Sequence, residues 1–112
     1  MYRIIKPKEI SFCPYPKGKA EIKRVLKFER GQAKFEGFGF IKIPPGGVFE
    51  PHIHPEKDEV YLILKGKGLL LLKGKEILVN AGTAIYISGP ESHGLKNTGK
   101  RELVYCYTTA FV

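Results

Sequence analysis

The chain has 112 residues, 43% of them hydrophobic and 27% charged, with a formal net charge of +8. That length supports one domain with its own core, and that hydrophobic content excludes wholesale disorder. Apolar runs such as Leu69–Leu72 fall far short of the roughly 20 residues that a membrane-spanning helix needs. The start, Met1–Pro7, lacks the apolar stretch and small-residue cleavage site of a signal peptide, so the expected location is the cytoplasm.

Short β-rich runs follow one another between Gly, Pro and Asn. Lys19–Phe28 alternates, with Ala20, Ile22, Leu26 and Phe28 on one side. The lysines from 17 to 27 do not cluster. They alternate with apolar residues as a solvated strand face does, which speaks against a nucleic-acid surface. Abundant Lys and Ile, a single Gln and no Trp suggest a thermophilic source. Phe35–Ile43 is aromatic and β-branched, and Pro44-Pro45-Gly46-Gly47 ends it. Pro51–His54 is a short strand carrying histidines. Val60–Leu64, Leu69–Leu72, Glu76–Val79, Ala84–Ile87 and Glu102–Thr109 complete the set. Such spacing predicts an all-β sandwich or barrel. Two cysteines are too few for a disulfide framework. Cys106, inside an apolar run, reads as a core residue, and Cys13, in a turn-rich stretch, as a free thiol.

His52 and His54 are two apart, so on a strand both imidazoles project from one face. Glu59 opens the next strand after a tight turn and can return its carboxylate beside them. His93 lies in the Gly-rich stretch 88–94. These are all three histidines of the chain. Three imidazoles and one carboxylate suit Fe, Mn, Zn, Ni, Co or Cu, and on an octahedral ion they leave two open positions.

In their context these residues resemble the two motifs of the cupin family. Gly46, His52, His54, Glu59 and Gly66 match the first, G-x5-H-x-H-x4-E-x6-G, at full spacing. Gly82, His93 and Asn97 match the second, G-x5-P-x-G-x2-H-x3-N, whose proline and middle glycine are replaced by Ser88 and Pro90. The resemblance covers roughly residues 35–109. It implies one domain over 1–112, a jelly-roll β-barrel of six to eight strands preceded by N-terminal strands in 1–34. It also implies one divalent transition metal ion inside one mouth, held by His52, His54, Glu59 and His93.

Four further residues are candidates for the pocket. Tyr61 and Ile63 share strand parity with Glu59, and Glu50 shares it with His52. Arg24 interrupts the apolar face of its strand and would meet a substrate carboxylate or phosphate if that face looks inward. Glu91 is expected at the pocket rim. The family includes dioxygenases, isomerases, epimerases, decarboxylases and sugar-binding domains. The expected function is therefore a metal-dependent enzyme of dioxygenase or isomerase type acting on a small polar or anionic molecule. The alternative is a non-catalytic binding or sensor domain. Val60–Leu64 and Leu69–Leu72 are apolar at both parities, more than one barrel interior absorbs, so a homodimer is expected, with Lys19–Phe28 as a candidate for pairing across it.

Overall fold

The computed structural model describes residues 1–16 and 18–112. After a 3-10 turn at Pro7–Glu9, ten strands follow: β1 (Cys13–Tyr15), β2 (Ala20–Lys27), β3 (Phe35–Ile43), β4 (Val48–His52), β5 (Lys57–Lys65), β6 (Lys67–Leu72), β7 (Lys75–Asn80), β8 (Ala84–Ile87), β9 (His93–Asn97) and β10 (Leu103–Phe111). They form a six-stranded sheet, β1-β2-β3-β10-β5-β8, and a four-stranded sheet, β4-β9-β6-β7. The named pairings within both sheets are antiparallel, and the apolar faces of the two sheets close on one core, as in a jelly-roll barrel.

Strand parity and register lay the inward side chains of the large sheet in rows. One row within the core is Ile22, Ile41, Tyr105 and Ile63, all buried. Above it run Arg24, Gly39, Tyr107, Tyr61 and Ile85. Nearest the mouth run Lys27, Gly37, Thr109, Glu59 and Ile87. The rows thus grade from apolar to polar toward the opening. Phe49, Leu70 and Leu95 of the small sheet press on the core from the other side.

Four pairings carry a register shift; that of β5 with β10 leaves Leu64 as the extra residue, and the other three re-aim side chains. The β2–β3 register shifts between Arg24 and Leu26. The extra residue, Val25, places Leu26 opposite Phe38 instead of in the Ile22 row, against the simple alternation expected from sequence. It also puts Lys27 opposite Gly37. The β3–β10 register shifts at Thr109/Ala110, leaving Glu36 as the extra residue. Its carboxylate turns in to accept a hydrogen bond from Thr109 Oγ1 at 2.6 Å. The third shift, in β4, shapes the metal centre.

Two strands escaped the sequence reading. β1 has only three residues, and Cys13 lies in it, exposed, with its Sγ donating to the Ile22 carbonyl. β9 lay within and beyond a stretch read as a Gly-rich loop. Cys106 is a correction: it is half-buried on the outer face of β10, beside the Leu62 carbonyl, because the inward positions of that strand are Leu103, Tyr105, Tyr107 and Thr109. β2 pairs with β3 of its own chain, so the N-terminal strand is already partnered and is not an edge awaiting a second copy. The edges of that sheet are β1 and β8.

Asn97 pins the strand ends that carry the motif. It is fully buried, its Nδ2 donates to the carbonyls of Ile43 and Arg101 at 2.8 Å each, and its Oδ1 accepts from Gly99 N at 2.9 Å. Asn97→Ala orphans three backbone groups, two of them carbonyls left without their donor. A loss of about 3 kcal/mol in stability is expected, read as a lower melting temperature.

Candidate metal centre

Ordinary alternation would put Phe49 and His52 on opposite faces of β4. The β4–β9 ladder instead runs Phe49↔Leu95 and then His52↔His93, so Glu50 and Pro51 together oppose Gly94 alone. This bulge returns His52 to the inner face, with its ring 4.7 Å from that of Phe49. Gly94 is what the bulge requires: a Cβ there would lie 2.7 Å from the Phe49 carbonyl oxygen and 2.8 Å from Pro51 N. The same extra residue throws the Glu50 side chain to the exposed surface. Glu50 therefore contributes to the site through its backbone, not through the carboxylate that parity suggested.

The centre is assembled across the two sheets. Glu59 opens the inner face of β5, while His52 and His93 stand side by side on β4 and β9 with ring centres 4.3 Å apart. His54 follows β4, its ring 4.5 Å from that of His52 and 5.9 Å from that of His93. One ligand atom from each of His52, His54, Glu59 and His93 falls within 4.8 Å of the others. Ligands opposite one another on an ion with 2.0–2.1 Å bonds stand about 4.2 Å apart, so small side-chain adjustments complete the sphere. The substitutions Ser88 and Pro90 in the second motif leave His93 in place.

Backbone carbonyls fix the histidine tautomers. His52 Nδ1 lies 2.9 Å from the Glu50 carbonyl and His93 Nδ1 2.9 Å from the Glu91 carbonyl. With Nδ1–H donating, each Nε2 is left as an electron-pair donor. His93 Nε2, buried, faces Glu59 Oε2 at 2.6 Å. Two such donors repel unless a proton or a cation lies between them, so this geometry fits a metal ion. Burial, foremost, and then the neighbouring His93 and His54 push His52 down to about 4, against the opposing effect of its hydrogen bond to Glu50; its imidazole is neutral near pH 7 and able to ligate. Burial pushes Glu59 up, but the hydrogen bond and charge of His93, together with His54 and His52, outweigh it and hold the carboxyl below its usual range.

Tyr61 donates to Glu59 Oε2 at 3.2 Å. Burial, with Tyr105 and Glu59 nearby, raises its hydroxyl well above the ordinary tyrosine range, so it remains a donor. Ile63, in the row below, is buried in the core and packs beneath the site. Glu91 offers its carbonyl to His93 and its carboxylate to Lys73 at 2.9 Å. Arg24 lies on the wall of a cavity of about 230 Å³ that opens from the metal centre, together with Lys27, Glu36 and Lys57. Sequence reasoning missed Glu36, which a register shift turns in, and Lys57, which the start of β5 places there, neither visible as a pattern; it also missed Tyr107, which simple alternation with Tyr105 and Thr109 on β10 could have found.

The chain belongs to the cupin family: the family's domain model matches residues 39–109. An oxalate-binding protein from Thermotoga maritima is 34% identical over 101 residues, which is 90% of this chain and 84% of that one. The crystal structure of a predicted oxalate decarboxylase from Thermotoga maritima superposes with a TM-score of 0.89 at 28% identity, over 98% of this chain and 100% of that one. KdgF from Halomonas sp. shares the fold alone, with a TM-score of 0.81 at 17% identity over 100% of this chain and 96% of its own.

Alanine at any one of His52, His54, Glu59 or His93 would remove one of four bonds to a bound ion and is expected to weaken metal binding by at least ~tenfold in calorimetric titration. The β-sheet circular dichroism should persist in each variant and in the metal-free protein, since the barrel has its own core, while metal raises the melting temperature by mass action.

Proposed function

We propose that the protein holds one divalent transition ion on His52, His54, Glu59 and His93 and uses the ion's remaining positions to bind a small chelating carboxylate. The observation that carries this reading is the convergence of four donors beside a cavity whose wall carries Arg24, Lys27 and Lys57. Bound there, the ion supplies a Lewis acid, and three imidazoles with one carboxylate suit Fe, Mn, Zn, Ni, Co or Cu. The relative described as oxalate-binding supports a carboxylate as the ligand, and oxalate is a natural first probe. The chain's own part is to orient and to hold protons in place: carbonyls fix the imidazoles, and Tyr61 fixes Glu59.

A metal-dependent enzyme of dioxygenase or isomerase type is a second reading, favoured by Tyr61, a proton-bearing group whose hydroxyl lies 3.2 Å from a metal-ligating carboxylate. Elemental analysis of protein purified without added metal identifies the ion. Titration of oxalate into the metal-loaded and the metal-free protein then tests the binding reading. Binding of one oxalate per chain in the loaded protein only is expected, and no binding to the loaded protein overturns it. Oxygen consumption and carbon dioxide release over a panel of carboxylates distinguish a catalyst from a binding domain.

The working unit in this reading is a homodimer joined through the outer face of the large sheet. Val60, Leu62 and Leu64 of β5 and Tyr86 of β8 are exposed there, Leu62 at 39% and Tyr86 at 66%. Beside them Leu26, Phe28, Phe35 and Phe38 line an apolar hollow. Covering such a face gains about 25 cal/mol per Å², and two-fold symmetry lets one patch cover itself. Light scattering at micromolar concentration is expected to give twice the chain mass of 12.6 kDa; a mass equal to one chain refutes the dimer.

A further inference from the structure

Resting on the carboxylate reading above, we infer that the natural ligand is longer than oxalate and carries a second anionic group, which Arg24 receives at the end of the cavity away from the metal.

The cavity is too large for oxalate alone. Its volume is about 230 Å³, room for about eight waters at roughly 30 Å³ each, whereas oxalate has six covalently packed heavy atoms. The extra room has a direction. Along the middle inward row, Tyr61 neighbours Tyr107, Tyr107 faces Gly39, and Gly39 faces Arg24. Three strand spacings separate the two ends, about 14 Å of backbone. The row nearest the mouth repeats the pattern, Glu59 to Thr109 to Gly37 to Lys27. In both rows a glycine stands between the metal side and the cationic side. A Cβ at Gly39 would lie 2.7 Å from the Tyr107 hydroxyl and 2.2 Å from the Lys23 carbonyl oxygen. The Gly39 backbone is thus covered by the Tyr107 ring, and it is Gly37, where the nearest side-chain atom to a Cβ would be Thr109 Oγ1 at 3.5 Å, that lies on the cavity wall.

The charges lining the cavity single out Arg24. Its cations are Arg24, Lys27 and Lys57, and its carboxylates are Glu36 and Glu59. Glu59 serves the metal centre. Glu36 accepts from Thr109 at 2.6 Å and stands 3.8 Å from Lys27 and 3.7 Å from Lys57. Among the described residues no carboxylate pairs with Arg24. Its guanidinium carbon sits 5.8 Å from the ring centre of Tyr15, Tyr15 stacks on Phe49 at 4.8 Å, and Phe49 lies 4.7 Å from His52. A continuous aromatic wall thus leads from the metal ligands to an unpaired guanidinium, the side chain best suited to a carboxylate by its planar fork of donors. The ligand class is a dicarboxylate or 2-oxo diacid of about five carbons, chelated at one end and ion-paired at the other.

Calorimetric titration of the Mn(II)-loaded protein with 2-oxoglutarate and with 2-oxopentanoate tests this, because the two differ only at the far end. The diacid is expected to bind about tenfold tighter, the worth of one charge-assisted hydrogen-bonded contact. In Arg24→Gln the ratio should collapse toward one, and Arg24→Lys should retain part of it, with the metal affinity and melting temperature of both variants as in the wild type. Equal affinity for the two acids in the wild type, or a preference that survives Arg24→Gln, overturns the inference. If oxalate binds while the two acids do not differ, the carboxylate reading stands and the second anion site falls. If none of the three binds, both fall.

Discussion

The candidate metal centre depends on one extra residue in β4. Two residues, Glu50 and Pro51, span the space that one residue, Gly94, spans on β9. Removing that extra residue would slip the strand by one, and a one-residue slip turns a side chain to the opposite face. His52 would then point to solvent, and His93 would face Glu59 with no second imidazole beside it. The bulge also determines what else can stand there: Gly94 yields its side chain so that Phe49 and Pro51 can approach. The carbonyl of Glu50, inside the bulge, accepts the His52 Nδ1 proton. One local irregularity therefore sets the direction of a ligand, its tautomer and the identity of its neighbour.

From the large sheet, one regular stretch of β5 meets this device. Glu59, Tyr61 and Ile63 descend the inner face of β5 by simple alternation, from the metal centre to the core. Their order grades the environment: a carboxylate at the mouth, a hydroxyl that donates to it, then hydrocarbon. Tyr61 can be buried because its hydroxyl has a partner, as a polar group withdrawn from water requires. The metal centre is thus rigid from below by packing and from the side by hydrogen bonds to backbone carbonyls.

These two modes of construction explain what the sequence made legible. Where alternation is regular it could be read directly: Glu59, Tyr61 and Ile63 on one face, and Leu62 and Leu64 turned outward. Motif spacing identified the four residues that the structure brings within reach of one ion. The bulges left no periodic trace. Parity therefore assigned the Glu50 carboxylate to the pocket, placed Leu26 in the same row as Ile22, and gave no hint that Glu36 turns inward. Cys106 was misplaced for a different reason. An apolar neighbourhood such as Val104–Tyr107 fits either face of a strand when the outer face is itself apolar, and only pairing with β5 and β3 decides which side is the core.

Gly37 and Gly39 carry the argument one step further. Glycine within a strand costs about 0.5–1 kcal/mol relative to alanine, and β3 carries two, both on its inner face. A strand serving only the core would place apolar side chains there, as the same strand does two residues on with Ile41 and Ile43. Gly39 makes room for the Tyr107 ring, whereas Gly37 lies on the cavity wall in the row of Thr109 and Glu59, so the inner face of β3 opens only toward the mouth. The opening is lined by Arg24, Lys27, Lys57 and Glu36 as well as by Ile22, Leu26, Ile41 and Phe49. The stability given up at these positions thus does two things: at Gly39 it seats the Tyr107 ring, and at Gly37 it leaves room beside the four candidate ligands.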